Sequence, residues 1–218
     1  SGLLLSATAN AETSMALRAG LIQTDVDLDI ASSVDINGTP VAGSKFEESY
    51  LSTEINGSIS MDSYFMNLEV KTSRLDDLSL GDKDEYALTF GMRVGDQSSV
   101  FAGTKYMNWD EAFDTFGFFA GYSYLIPFET SAVSFSGAIG LLKGDWLLNT
   151  GTGVGVTSDY ELGYNLKASY IFPINDQWTI NADLKAYEYE FEFSSGPAKL
   201  EITEANIGYG VTVGYAFQ

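Results

Sequence analysis

The chain has 218 residues and a net charge of −19, and it contains neither histidine nor cysteine. Without histidine it cannot build a Ser-His-Asp triad or a His-ligated zinc site, and without cysteine it has no disulfides or thiolate metal sites. The acidic balance excludes a nucleic-acid surface, which needs the opposite sign.

No carboxylate pair stands out as a replacement for histidine, so the chain is expected not to be an enzyme and to need no cofactor. The lack of cysteine suits export through an oxidising compartment. There are 22 Gly, 13 Tyr and 14 Phe but only 4 Pro. No run approaches the ~18 apolar residues of a transmembrane helix. If the chain crosses a membrane it must therefore do so as a closed barrel, which satisfies every backbone group internally.

Ser1–Ala11 has the look of the end of a secretory signal peptide, with Leu3–Leu5 closing an apolar region and Ala9-Asn10-Ala11 fitting the small-residue cleavage pattern. The alternative is an N-terminal extension that enters the barrel. Residues 12–218 are expected to form a single all-β domain.

Ten strand signals follow in order: Ser14–Ile30, Phe46–Met61, Tyr64–Arg74, Asp84–Val94, Ser98–Met107, Phe113–Ile126, Ser131–Leu148, Ser158–Phe172, Trp178–Phe193 and Leu200–Phe217. Several alternate clearly with a period of two, so one face is apolar. Tyr64, Met66, Leu68 and Val70 make one such face; Tyr86, Leu88, Phe90 and Met92 make another. Phe101 breaks the alternation of the fifth strand, and a count of eight is the alternative. The connections alternate in length. Asp62-Ser63, Gly95–Gln97, Pro127–Thr130 and Pro173–Gln177 are short, whereas Ala31–Lys45, Leu75–Lys83, Asn108–Ala112, Asn149–Thr157 and Ser194–Lys199 are longer. An even number of strands with short turns on one side is the plan of an outer-membrane barrel. A soluble sandwich could share the alternation, but would not explain this asymmetry of the loops.

The last strand is the most regular. Ala205, Ile207, Tyr209, Val211, Val213, Tyr215 and Phe217 alternate with Asn206, Gly208, Gly210, Thr212, Gly214 and Ala216. The run from Gly210 through Val213 and Tyr215 to Phe217 resembles the C-terminal assembly signal of bacterial outer-membrane β-barrels. With Gln218 after it, Phe217 is next to last rather than last. The resemblance implies a transmembrane antiparallel up-and-down barrel of the small OmpA/OmpX/OmpW-like class in a Gram-negative outer membrane. It implies the barrel-assembly machinery, outer-membrane lipid and lipopolysaccharide as partners. The enzymes of that membrane, such as lipases, lipid A modifiers and omptin-type proteases, rely on histidine, which this chain lacks. A monomer is expected.

With the apolar faces turned to lipid, the opposite faces line a lumen. The charges expected there are Arg18, Lys71, Arg93, Lys105, Lys167 and Lys185 with Glu54, Glu69, Glu161, Asp183 and Glu204. Buried charges must pair, and ten strands enclose little more than side chains can fill. A salt-bridged lumen is the expectation; a narrow pore is the alternative. Most other acids fall in the outer half, against Lys45, Arg74, Lys83, Lys143 and Lys199. Asp25, Asp27 and Asp29 share one strand face and are candidates for a divalent cation.

At the outer ends the pattern inverts. Glu188, Glu190 and Glu192 keep the parity of the apolar face, while Tyr187, Tyr189, Phe191 and Phe193 turn inward. Val26, Leu28 and Ile30, Leu200 and Ile202, and Trp146 and Leu148 repeat this on other strands. Either the strands continue above the membrane into water, or a β-bulge at each flip restores the apolar face to lipid. The first option encloses an apolar chamber. It is either a core covered by the loops Ala31–Lys45 and Asn149–Thr157, consistent with a structural or surface-interaction barrel, or a site for binding or passive transport of a small hydrophobic molecule.

Overall fold

A computed structural model describes residues 13–32, 43–74, 82–109, 113–147, 155–195 and 198–217. Its strands are β1 (Ser14–Ser32), β2 (Ser44–Met61), β3 (Tyr64–Ser73), β4 (Lys83–Arg93), β5 (Ser98–Trp109), β6 (Phe113–Pro127), β7 (Ala132–Leu147), β8 (Gly155–Thr157), β9 (Glu161–Pro173), β10 (Trp178–Ser195) and β11 (Ala198–Phe217). Ten of these, all but β8, close into one antiparallel ring. Each pairs with its sequence neighbours, β7 pairs with β9, and β11 pairs back onto β1. Closure leaves no free edge along the shared length of the ten strands; among the described residues the outer ends of β2, 44–51, and of β10, 190–195, run past β3 and β9. The eight-strand alternative is thereby excluded.

The strand limits lie within a few residues of those read from the alternation. One element was not foreseen. Gly155–Thr157, expected inside a loop, adds a three-residue strand to the outer end of β7. The proposed leader, Ser1–Ala11, and the centres of the two suggested lids, 33–42 and 148–154, lie outside the described residues.

Met15 pairs with Phe217, so β1 begins where β11 ends, at the end that carries the short turns. A two-residue turn joins Met61 to Tyr64 through Asp62 and Ser63. Asp62 has φ of 50° there, a left-handed conformation that Asp tolerates better than most residues.

Two belts divide the outer wall. Around its lower and middle part the outward side chains are large and apolar; Leu162 is 66% exposed, Ile139 63% and Tyr64 62%. So much contiguous apolar surface does not stay bare in water. Trp178, Tyr215 and Phe217 stack at the short-turn end, with ring centroids 4.8 and 4.9 Å apart. Higher up, the outward positions are Asp25, Asp27, Glu188, Glu190 and Glu201. The change occurs without any insertion. β10 and β11 stay in one unbroken register from Trp178↔Tyr215 to Ser195↔Ala198, as do β1 and β11. The bulge alternative is therefore wrong for these strands. The backbone continues unchanged and only the side-chain pattern flips.

Phe101, which breaks the alternation of its strand, points inward and packs edge-on against Phe119 with centroids 6.3 Å apart. Glycine makes this room. A Cβ at Gly121 would lie 2.5 Å from the Phe101 ring.

Candidate functional site

The interior is built in two layers, the lower one charged. Arg18 on β1 donates to Asp183 on β10 at 3.0 Å and to the Thr212 hydroxyl at 2.7 Å. Asp183 also accepts from the hydroxyls of Ser169, at 2.5 Å, and Thr212, at 3.1 Å. Lys185 pairs closely with Glu54 and reaches Glu69 at 3.5 Å. Further up, Glu85 gathers three ammonium groups, with Lys105 at 2.7 Å, Lys71 at 3.2 Å and Lys83 at 3.7 Å. Lys83 also pairs closely with Glu204, which accepts from the Asn206 amide at 2.8 Å. Eight of the ten ring strands, all but β6 and β7, contribute to this layer from their inward parity, so residues far apart in sequence meet across the ring.

The upper layer is apolar. Val26, Leu28, Tyr50, Met107, Trp109, Phe113, Leu142, Tyr187, Tyr189, Phe191, Phe193 and Ile202 form one buried cluster, with Ile30 and Leu200 at its margin. Phe113 meets Phe191 and Phe193 edge to face, at 5.1 and 5.7 Å. Among the described residues a gap of about 20 Å³ lies in the cluster beside Leu28, Trp109 and Phe191. That is room for one or two waters, since each needs ~10–15 Å³. The strands' own side chains occupy the chamber around that gap.

Tyrosine and tryptophan rings join the two layers. The ammonium groups of Lys71, Lys83 and Lys105 lie 5.5, 5.5 and 5.0 Å from the Tyr187 ring centroid. Cations at such distances are attracted to the ring face. Lys105 also donates to the Tyr189 hydroxyl at 2.9 Å. Gly163 lets Tyr189 lie flat against β9; a Cβ there would be 2.4 Å from the ring.

Several expectations need correction. Lys83, assigned by its sequence to an outer loop, is fully buried in the lumen. Glu85, grouped with the outer acids, is buried beside it. Conversely, Arg93 and Glu161 have inward parity but sit near the two ends of the barrel. Arg93 reaches the Asp62 carbonyl at 3.5 Å, and neither forms an ion pair among the described residues. Parity alone assigns both to the lumen, because parity says nothing about height. Tyr50, Met107, Trp109, Phe113 and Leu142 were missed as members of the apolar layer, although parity already put Tyr50 on the face of Ser52 and Glu54. Trp146 pairs with Phe113 in the β6–β7 register, and Leu148 lies outside the described residues.

Asp25, Asp27 and Asp29 do run along one face of β1, but no group of three acidic side chains among the described residues is placed to hold a metal ion. Asp29 pairs with Lys45 at 2.7 Å, and Asp25 accepts from the Ser49 hydroxyl at 2.5 Å. The acidic belt continues across β11 and β10. There the Glu201 carboxyl, hydrogen-bonded to Glu190, holds Glu190 above the usual carboxylate range. Lys199, 2.5 Å from Glu192, holds that carboxyl below it.

No protein-family model matches the chain, and no curated protein matches it. Solved structures do resemble it. The outer-membrane protease OmpT from Escherichia coli superposes with a TM-score of 0.52 at 9% identity, over 93% of this chain and 97% of that one. The outer-membrane protein OprG from Pseudomonas aeruginosa gives 0.46 at 13% identity, over 94% and 96%. Neisserial surface protein A gives 0.45 at 9%, over 93% and 97%. The likeness to OmpT is one of fold alone: this chain has the architecture of an outer-membrane β-barrel. OmpT's protease activity belongs to that protein, and this chain has no histidine.

Proposed function

We propose that the chain spans a bacterial outer membrane and serves as a structural or surface-interaction barrel rather than as an open pore or an enzyme. The observation that supports this reading is a lumen crossed by paired and packed side chains, which leave small cavities such as those of about 120 and 20 Å³ among the described residues. An ion-paired layer and an aromatic layer lie one above the other in the lumen, joined by Tyr187. The apolar outer belt fits lipid, and the acidic belt above it would stand in water and present charge to partners. Lipopolysaccharide surrounds the belt in this reading, and the barrel-assembly machinery reads the strand ending at Phe217.

The test is electrical. Purified barrel reconstituted in a planar bilayer is expected to show no sustained conductance. Long-lived current steps would overturn the filled-lumen reading in favour of the narrow pore. A chamber for a hydrophobic ligand is the weaker reading, because the aromatic layer already fills its own space. Tryptophan fluorescence titrated with fatty acids would rescue that reading only if it changed saturably and the change were lost in Phe191→Asp.

A further inference from the structure

The described lumen holds one cation more than it holds anions. Arg18, Lys71, Lys83, Lys105, Lys167 and Lys185 face Glu54, Glu69, Glu85, Asp183 and Glu204. The imbalance is sharpest at Lys167. Its partner in the β9–β10 register is Lys185, and like charges directly opposite on one sheet face repel. Lys185 is neutralised by Glu54 and Glu69. Among the described residues Asp183, 3.5 Å away, is the one carboxylate within 4 Å of Lys167, and it already serves Arg18, Ser169 and Thr212. The Lys167 side chain is 7% exposed, and its ammonium makes no hydrogen bond. A buried charge left in this state is unfavourable unless something pairs with it.

Lys167 borders a cavity of about 120 Å³ inside the barrel. The wall beside it, on β7, is nearly bare. Ser136, Ala138 and Gly140 project so little that backbone forms the surface. Lys71, Lys105 and Lys185 also border this space, against two carboxylates, Glu69 and Glu85. Asn165 and Ser136 add further donors. The volume is well below the ~300–1,000 Å³ of metabolite pockets. It would hold a cluster of roughly ten waters at ~10–15 Å³ each, or an ion of a few heavy atoms with some of its hydration.

We infer that this cavity binds a small oxyanion, a carboxylate or a phosphate, with Lys167 as its counter-ion. Several donors converging from different strands suit an acceptor with more than one oxygen. The excess of lysines over carboxylates sets the sign, and the bare β7 wall provides the room. The inference concerns the lumen alone and does not depend on what the outer surface contacts.

The experiment uses the folded full chain in zwitterionic detergent and chloride-free buffer at neutral pH. Sodium acetate and sodium phosphate are titrated in separately by calorimetry, and sodium chloride serves as a third probe. Wild type and the outward control Lys143→Gln are expected to bind one or both oxyanions saturably, and the tighter of the two identifies the class. Lys167→Gln removes the counter-ion. Ala138→Leu fills the cavity and leaves every charge in place. Each is expected to weaken binding at least tenfold while the unheated protein still migrates as a folded barrel on a gel. Absence of saturable binding in wild type, undiminished binding in Lys167→Gln, or chloride binding as tight as either oxyanion would overturn the inference.

Discussion

The Lys83 ammonium stands 4.5 Å from the centroid of the Trp109 ring, and neither residue is exposed. The same ammonium pairs with Glu204 from β11. One side chain therefore ties the charged layer of the lumen to the aromatic layer above it. Removing it should be costly in a specific way. Lys83→Met leaves Glu204 buried without its cation, which is expected to cost about 3–5 kcal/mol. Lys83→Met combined with Glu204→Gln should cost distinctly less than Lys83→Met alone. Denaturant unfolding of the reconstituted barrel measures both, and an additive double variant would deny the coupling.

The position of the change of solvent can be located on one strand. Leu184 and Glu190 face outward on β10, six residues apart, or roughly 20 Å at ~3.3 Å per residue. Leu184→Arg places a charge in the lipid belt and is expected to destabilise by about 2–4 kcal/mol. Glu190→Arg lies above the belt and should stay within about 0.5 kcal/mol. Equal effects in lipid vesicles would mean that both positions meet the same medium.

Phe191 is fully buried and packs edge-on to Phe113. Phe191→Ala is expected to cost about 3–5 kcal/mol, because little around a closed ring of strands can collapse into the gap. If the aromatic layer is a core, the loss should appear in unfolding with no gain in conductance. A variant that conducts without losing stability would show that this layer is a gate instead.

The titrations of Glu190 and Glu192 should be shifted in opposite directions. The hydrogen bond with Glu201 raises Glu190, so its contribution to stability is present at low pH and is lost as pH rises through the raised value. Lys199 lowers Glu192, so that contribution is present above the usual carboxylate range and is lost as pH falls through the lowered value. Carboxylate NMR titration should therefore find Glu190 protonating at higher pH than Glu192. Glu201→Gln should change the Glu190 midpoint and leave that of Glu192 in place.

Phe217 is half exposed at the end of β11 and touches Tyr215. It stabilises little by burial, so Phe217→Ala is expected to lower the amount of barrel in the membrane far more than the unfolding free energy of the protein that arrives there. Normal membrane levels of the variant would remove the assembly role from this strand.

The alternation of side chains was enough to place ten strands, their short and long connections and the two faces of each. It was also enough to show that β10 turns Tyr187 to Phe193 inward where Glu188 to Glu192 turn outward, because parity is a local property that follows from the pleat. Parity does not give height or partner. Lys83 read as a loop residue because it stands at the first position of its strand; ring closure carries it inward to Glu204, 121 residues away. Glu85 alternates with Tyr86 and so faces inward by parity; only the placing of β3 and β5 shows that it lies deep enough to meet Lys71 and Lys105. Arg18 meets Asp183 across 165 residues only because β1 and β10 both pair with β11. The sequence alone thus determined which side chains face inward. The stagger of the closed ring decided which of them meet, since it sets the height of each strand against its neighbours.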